Sequence, residues 1–276
     1  MSLFQKAAGL ALRSISSKEN YRPPDNEICF KRSIISSIEF FARFQNSVDF
    51  KGKTVLDVGC GRGATCFYMA LNGASKVVGI DINENALAFA RSQLQKHPKL
   101  RDILAFKTRD EMGTEKFDII ISKDAFEHYN DPANFIKVIA GYLKPQGQMV
   151  VGFSPLWKSP YGGHMCNFTK VPWVHILFPE SILMPELRRF MKNENVKSFR
   201  HIAGGLNKMT MARYLDIVKR SGFELEFFRT NVSSDPKERS ILNIFRIMCL
   251  FPPLREYFTV NLYSILRFQK YQVERR

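Results

Sequence analysis

Residues 56–63 read LDVGCGRG, three glycines at alternating positions after a short apolar run that contains Asp57. Glycine-rich turns after a strand let the backbone pass close to a nucleotide. The spacing argues against two familiar uses. A dinucleotide turn has the form G-x-G-x-x-G and serves a pyrophosphate at a helix N-terminus. Gly59, Gly61 and Gly63 are one residue tighter than that. A triphosphate loop needs a lysine and then Ser or Thr after its last glycine, whereas Ala64 and Thr65 follow Gly63. A carboxylate at Asp57 would repel a pyrophosphate, but it suits a ligand carrying an ammonium group.

The elements around this turn alternate. KTVLDVG (53–59) reads as a buried strand, ATCFYMALN (64–72) as a helix stopped at Gly73, and KVVGID (76–81) as a second strand. ENALAFARSQLQK (84–96) is a helix ended by Pro98, DILAFKT (102–108) a third strand and FDIIIS (117–122) a fourth. PANFIKVIAGYL (132–143) is a helix opened by Pro132, and GQMVVGF (147–153) a fifth strand. Strands this apolar are buried on both faces, so the pattern predicts a parallel sheet with helices on each side and a ligand at the carboxyl ends of the strands. Ahead of it, 31–45 is helical with Ile34, Ile38 and Phe41 on one face. After it come a helix over 210–222 capped by Thr210, a strand at 223–230, a helix at 237–250 and a last strand at 258–268.

The ordered set resembles the class I S-adenosylmethionine-dependent methyltransferases, whose first motif is [E/D]-x-G-x-G-x-G. The likeness runs over about residues 50–155. It implies an α/β fold, a Rossmann-like, seven-stranded, mostly parallel sheet with helices on both faces and the last strand antiparallel. It implies S-adenosylmethionine as cofactor and S-adenosylhomocysteine as product. Asp57, Gly59, Gly61 and Gly63 then hold the methionine part. Asp81, ending the second strand, accepts the ribose hydroxyls, Ile82 packs on adenine and Asp110 accepts from the adenine amino group. Ser122 and Lys123 approach the methionine end, and LKPQGQMVV (143–151) matches the turn into strand five.

Methyl transfer from a sulfonium is an in-line displacement, so alignment of donor and acceptor does most of the work. A hydroxyl acceptor also needs a general base, most often histidine. Two histidines follow strands at the expected end: His128 in FEHY and His164 in SPYGGHMCNF, where Gly162 and Gly163 allow a tight approach or a hinge. Each has a plain alternative, a cap on a short helix for His128 and a loop hydrogen bond for His164. Tyr129, Tyr161 and Trp173 are candidates to orient the acceptor.

The organisation follows: 1–50 an N-terminal helical lid, 51–155 the cofactor-binding core, 156–208 an insertion over the active site, and 209–276 the rest of the sheet domain. The insertion carries PWVHILFPESILM (172–184), apolar enough to roof an acceptor pocket with the N-terminal helix or to dock on a membrane or second subunit. Five cysteines without paired spacing predict no metal site and buried thiols in a reducing, cytoplasmic setting, although the acid-free residues 1–18 leave a transit peptide or membrane-surface helix in view. No apolar run is long enough for a membrane span.

The net charge of +15 is uneven, with 18 Lys and Arg against 9 Asp and Glu in residues 186–276. That favours nucleic acid, anionic lipid or acidic substrates. The exit of strand four reads SKDA, unlike the [D/N/S]-P-P-[Y/F] motif of amino-methylating DNA enzymes, and no Pro-Cys pair is present. The first reading is transfer of a methyl group to a hydroxyl of a small or lipid-like, even anionic, acceptor, with peripheral membrane contact. An RNA methyltransferase and a catalytically silent interaction protein are the alternatives.

Overall fold

The computed structural model describes residues 3–202 and 204–268. Two helices, α1 (Leu3–Ser14) and α2 (Asn26–Ala42), precede β1 (Thr54–Val58). Alternation then runs through α3 (Ala64–Leu71), β2 (Lys76–Ile80), α4 (Glu84–Gln95), β3 (Leu104–Lys107), β4 (Phe117–Lys123), α5 (Pro132–Ala140) and β5 (Leu143–Phe153). The chain leaves the sheet through α6 (Val174–Leu177) and α7 (Glu180–Met191) and returns with α8 (Met211–Arg220) and β6 (Phe223–Thr230). A second excursion, α9 (Pro236–Met248) and α10 (Arg255–Phe258), precedes β7 (Leu262–Phe268).

The seven strands form one sheet in the order β3-β2-β1-β4-β5-β7-β6. Only β7 runs against its neighbours, β5 and β6. This is the expected Rossmann-like arrangement. Successive strand residues point to opposite faces: Val55, Val77, Ile119 and Val150 join the core on one side, and Leu56, Val78, Ile120 and Val151 the core on the other. Both faces are therefore buried, which is what the unbroken apolar runs required. Side-chain caps start the helices where the sequence offers them: Asn83 for α4, Asp131 ahead of Pro132 for α5, and Thr210 for α8.

A third, smaller core joins α1 to the insertion, through Leu12, Phe168, Leu183, Leu187 and Phe199. Arg13 pairs with the buried carboxylate of Glu186 at 2.9 Å, and Thr169 Oγ1 donates to Ile15 O at 2.7 Å. The N-terminal helix and the insertion thus pack as one unit.

Several local expectations shift. The buried stripe of α2 is Ser37, Phe40 and Phe41, continued by Phe44, while Ile38 is exposed. Ser37 and Thr65 share a buried hydrogen bond of 3.0 Å, and Phe40 and Phe44 pack on Tyr263, which together set the helix's rotation. The helix opened by Pro132 ends at Ala140, and β5 begins at Leu143. The last strand begins at Leu262, not at 258: Asn231 bonds Phe258 O and Val260 N, and Asn261 bonds Val232 N and O, so this stretch is held as a loop. Cys60 and Cys66 are buried as expected, but Cys166 is exposed. No helix among the described residues is long and apolar enough to cross a membrane.

Candidate cofactor and acceptor site

The glycine turn leaves β1 with positive φ at Gly59 (81°), Gly61 (52°) and Gly63 (82°). A Cβ on Gly59 would stand 2.6 Å from Ala125 Cβ, so this glycine lets the turn lie against the exit of β4. A Cβ on Gly61 would meet nothing within 4 Å. Gly61 is the side of the turn open to a ligand, and Gly63 begins α3.

Asp57 lies buried beneath the turn, where the Cys66 thiol donates to Oδ2 at 3.3 Å. Burial pushes its carboxyl up to about 7, against the opposing pull of that thiol and of Lys123. Asp81 follows β2. Its Oδ2 accepts from Gly61 N–H and its Oδ1 from Asn83 N–H, both at 2.8 Å. Each oxygen keeps a lone pair for a further donor. Asp81 N–H donates to Lys107 O at 3.4 Å, which sets the exits of β2 and β3 side by side. There Ile82 is 92% exposed, and Asp110 is exposed in the 3-10 turn Arg109–Glu111.

These residues fit S-adenosylmethionine. A buried carboxylate whose one side-chain donor is a weak thiol is prepared for an ammonium group. An open glycine beside it admits a chain at close range, and an exposed isoleucine beside an acid suits the flat face of an adenosine.

At the exit of β4, the Ser122 and Tyr129 hydroxyls lie 3.1 Å apart, and Tyr129 donates to Val58 O at 3.1 Å. Tyr129 therefore braces the glycine turn from below; as an acceptor-orienting residue it has its hydroxyl already engaged. Lys123 Nζ pairs with Asp124 at 3.0 Å and lies 5.8 Å from the centre of the Phe40 ring.

The two histidines come together. His128 belongs to the 3-10 turn Phe126–His128 after β4, His164 to the loop after β5, and their rings meet edge to face with centres 5.4 Å apart. His128 Nδ1 lies 2.7 Å from Gly205 O, a contact that fixes the proton on Nδ1 and leaves Nε2 as acceptor. His164 Nε2 is buried without a partner, and its backbone holds φ of 56°, a strained value for a side-chain-bearing residue. Burial lowers both imidazoles, His164 to about 4, so both are neutral near pH 7. The Tyr161 hydroxyl donates to Lys170 O and the Trp173 indole N–H to Lys158 O.

Two neighbours were missing from the sequence reading. Glu127 is buried, neither of its oxygens has a hydrogen-bond partner, and Oε1 lies 3.8 Å from His128 Nε2. Burial holds its carboxyl well above the usual carboxylate range. Asn207, from the distant end of the insertion, donates through Nδ2 to Phe126 O and Tyr129 O at 2.9 Å, and its N–H donates to Glu127 O. A clamp from about 80 residues away thus holds the His128 turn. FEH in the sequence hints at Glu127, but nothing local hints at Asn207.

Residues 49–165 match a family described as a methyltransferase domain. A ubiquinone biosynthesis O-methyltransferase of Pseudomonas putida (strain W619) is 32% identical over 160 residues, 57% of this chain and 66% of that protein. One of Neisseria meningitidis serogroup C is 36% identical over 119 residues, 41% of this chain and 48% of that protein. The chain thus spans about half to two thirds of the length of these curated relatives. An S-adenosylmethionine-dependent methyltransferase from Mesorhizobium loti shares the fold, with a TM-score of 0.54 and 19% identity over 86% of this chain and 96% of that one.

Proposed function

We propose that this chain, whose residues 49–165 match a family described as a methyltransferase domain, is an S-adenosylmethionine-dependent methyltransferase that methylates a hydroxyl oxygen of a small, lipid-like acceptor. The observation that carries this reading is the pair of neutral histidines brought together from two strand exits. The cofactor, when bound, supplies an activated methyl group whose sulfur leaves uncharged. The protein's tasks are to hold it, admit the acceptor and take one proton.

Asp57 faces the ammonium group, Gly61 gives clearance, and Asp81 takes the ribose hydroxyls with the lone pairs left free by Gly61 and Asn83. Ile82 and Asp110 receive the adenine. Ser122 and Lys123 border the methionine end. His128 acts as general base: its Nδ1 is fixed on Gly205 O, so Nε2 accepts. His164, lowered to about 4, is too weak a base for work near pH 7. Its unpartnered Nε2 is buried where its ring meets that of His128. Glu127, whose carboxyl burial raises well above the usual range, lies beside the same atoms, with Oε1 3.8 Å from His128 Nε2.

Two observations support the acceptor class. The curated relatives are named for O-methylation in ubiquinone biosynthesis. A cleft of about 850 Å³, lined by four cations, Lys18, Arg22, Arg32 and Lys192, and one acid, Glu19, borders α2, whose Asn26 accepts from Arg62 of the glycine turn at 2.7 Å. It suits an acidic portion of the acceptor. The test is incubation with methyl-tritiated S-adenosylmethionine and a cell extract, followed by solvent partition. The reading predicts label in the organic phase that disappears with His128→Ala. Label in RNA or protein would overturn it.

A further inference from the structure

Buried polar side-chain atoms are almost always hydrogen-bonded, and an exception asks for an explanation. Among the described residues, six such atoms lack a partner, and four of them gather at one turn: both oxygens of Glu127, His164 Nε2 and Asn207 Oδ1. Glu127 is 3% exposed, and an unpartnered carboxyl in such a place costs stability. The backbone around it is held. Glu127 O accepts from Asn207 N–H, Phe126 O and Tyr129 O accept from Asn207 Nδ2, and His128 N–H donates to Ala125 O. No hydrogen bond holds the Glu127 side chain, and it lies against His128, with Oε1 3.8 Å from Nε2.

His128 is a poor resting place for the proton it takes. Its Nδ1–H is on Gly205 O, so a proton on Nε2 makes an imidazolium, which burial disfavours. The other groups at the turn are engaged or too weak. Asp124 is paired with Lys123 at 3.0 Å, and the Tyr129 hydroxyl donates to Val58 O. His164, from the loop after β5, is lowered to about 4. From the insertion's return, Gly205 and Asn207 bring no titratable side chain. Beyond them, Lys208 is paired with Glu180 and Arg213 donates to Asn207 O.

We propose that Glu127 acts through His128 in the methyl transfer, its carboxylate taking from Nε2 the proton that the acceptor hydroxyl gives up. The role rests on His128 being the base. The acceptor O–H bond breaks, its electron pair forms the new bond to the methyl carbon, and the proton joins Nε2. The methyl–sulfur electron pair stays on sulfur. The Nε2–H bond then breaks as an Oε1–H bond forms, and His128 is neutral again. One positive charge at sulfur and one negative charge at Glu127 disappear together, so the buried site gains no net charge. Oε1 must close by about 1 Å to reach hydrogen-bond distance, and no hydrogen bond at either oxygen opposes that movement. The relay needs Glu127 ionised before each turnover. Burial, with Asp124 adding to it and Lys123 opposing, places that ionisation above the usual carboxylate range.

Two measurements test this. In the full chain with isotope-labelled histidine, the NMR signal lost in His128→Ala should titrate in two steps, its own and, at higher pH, that of Glu127. Glu127→Gln should keep only the first. A single step in the wild type would overturn the proposal. In the tritium-transfer assay on cell extract, Glu127→Gln should lower the organic-phase label by about 10²-fold, the low end of a proton-transfer contribution. Its remaining activity should rise with pH at the His128 step alone, while Glu127→Asp should keep both steps and recover part of the rate. S-adenosylhomocysteine titration of each variant should match the wild type, which verifies the fold. Undiminished transfer by Glu127→Gln, with none by His128→Ala, would overturn the relay and leave the base in place. Transfer retained by His128→Ala would overturn both.

Discussion

The glycine turn and the histidine pair both follow strand ends of one sheet but are built on different plans. Residues 57–63 form a site from one strand end, one turn and one helix start, with Asp81 reaching in from the next strand. The histidine pair needs three distant segments: the turn after β4, the loop after β5, and the return from the insertion at Gly205 and Asn207. The first is set by backbone geometry that six or seven residues dictate. The second is assembled by long-range contacts. The cofactor half can therefore remain recognisable while the acceptor half changes with its loops.

If the halves are separable, His128→Ala should reduce methyl transfer by about 10²- to 10⁴-fold and leave S-adenosylhomocysteine affinity unchanged by calorimetry. A parallel loss of affinity would merge the two regions. The reverse experiment is Asp57→Ala, for which affinity should fall by about tenfold to a hundredfold, or ~1–3 kcal/mol, as the ammonium group loses its partner. A smaller effect is expected at the clamp. Asn207→Ala removes the donor to Phe126 O and Tyr129 O, and should destabilise the protein to urea by about 1–3 kcal/mol and slow transfer while affinity holds.

The smallest effect is a pair of opposed pH slopes. Asp57 is raised from 3.8 to about 7, so the native state holds a proton that the unfolded chain releases, and its contribution to stability falls as pH rises through that window. His164 is lowered from 6.5 to about 4, so its contribution is present above 6.5 and is lost as pH falls toward 4. In thermal melts, His164→Gln should leave the Asp57 slope, with stability falling as pH rises. Asp57→Asn should leave the opposite slope. Equal slopes in the two variants would show that these groups do not carry the pH dependence.

What the sequence disclosed follows the same division. The strand run and the glycine spacing are local codes, so the sheet and the turn after its first strand were legible from apolar runs and turn residues. The placement of Asp57 in β1 and of Asp81 just past β2 was legible because one helix and one strand fix their separation. The rotation of α2 was not, because Tyr263 and Thr65, distant in sequence, decide which of its phenylalanines are buried. Tyr161 and Trp173 were singled out by residue type, and the carbonyls of Lys170 and Lys158 that their polar atoms bond could not be read from spacing. Glu127 and Asn207 escaped notice because an unpartnered carboxylate, or an amide clamping a turn, leaves no trace in spacing.

Calorimetric titration of the purified chain with S-adenosylhomocysteine between pH 5 and 8 tests the cofactor assignment most directly. One equivalent should bind, and affinity should rise with pH through about 7 as Asp57 ionises to meet the ammonium group, with the rise absent in Asp57→Asn. No binding at any pH, or a rise that persists in Asp57→Asn, would contradict it.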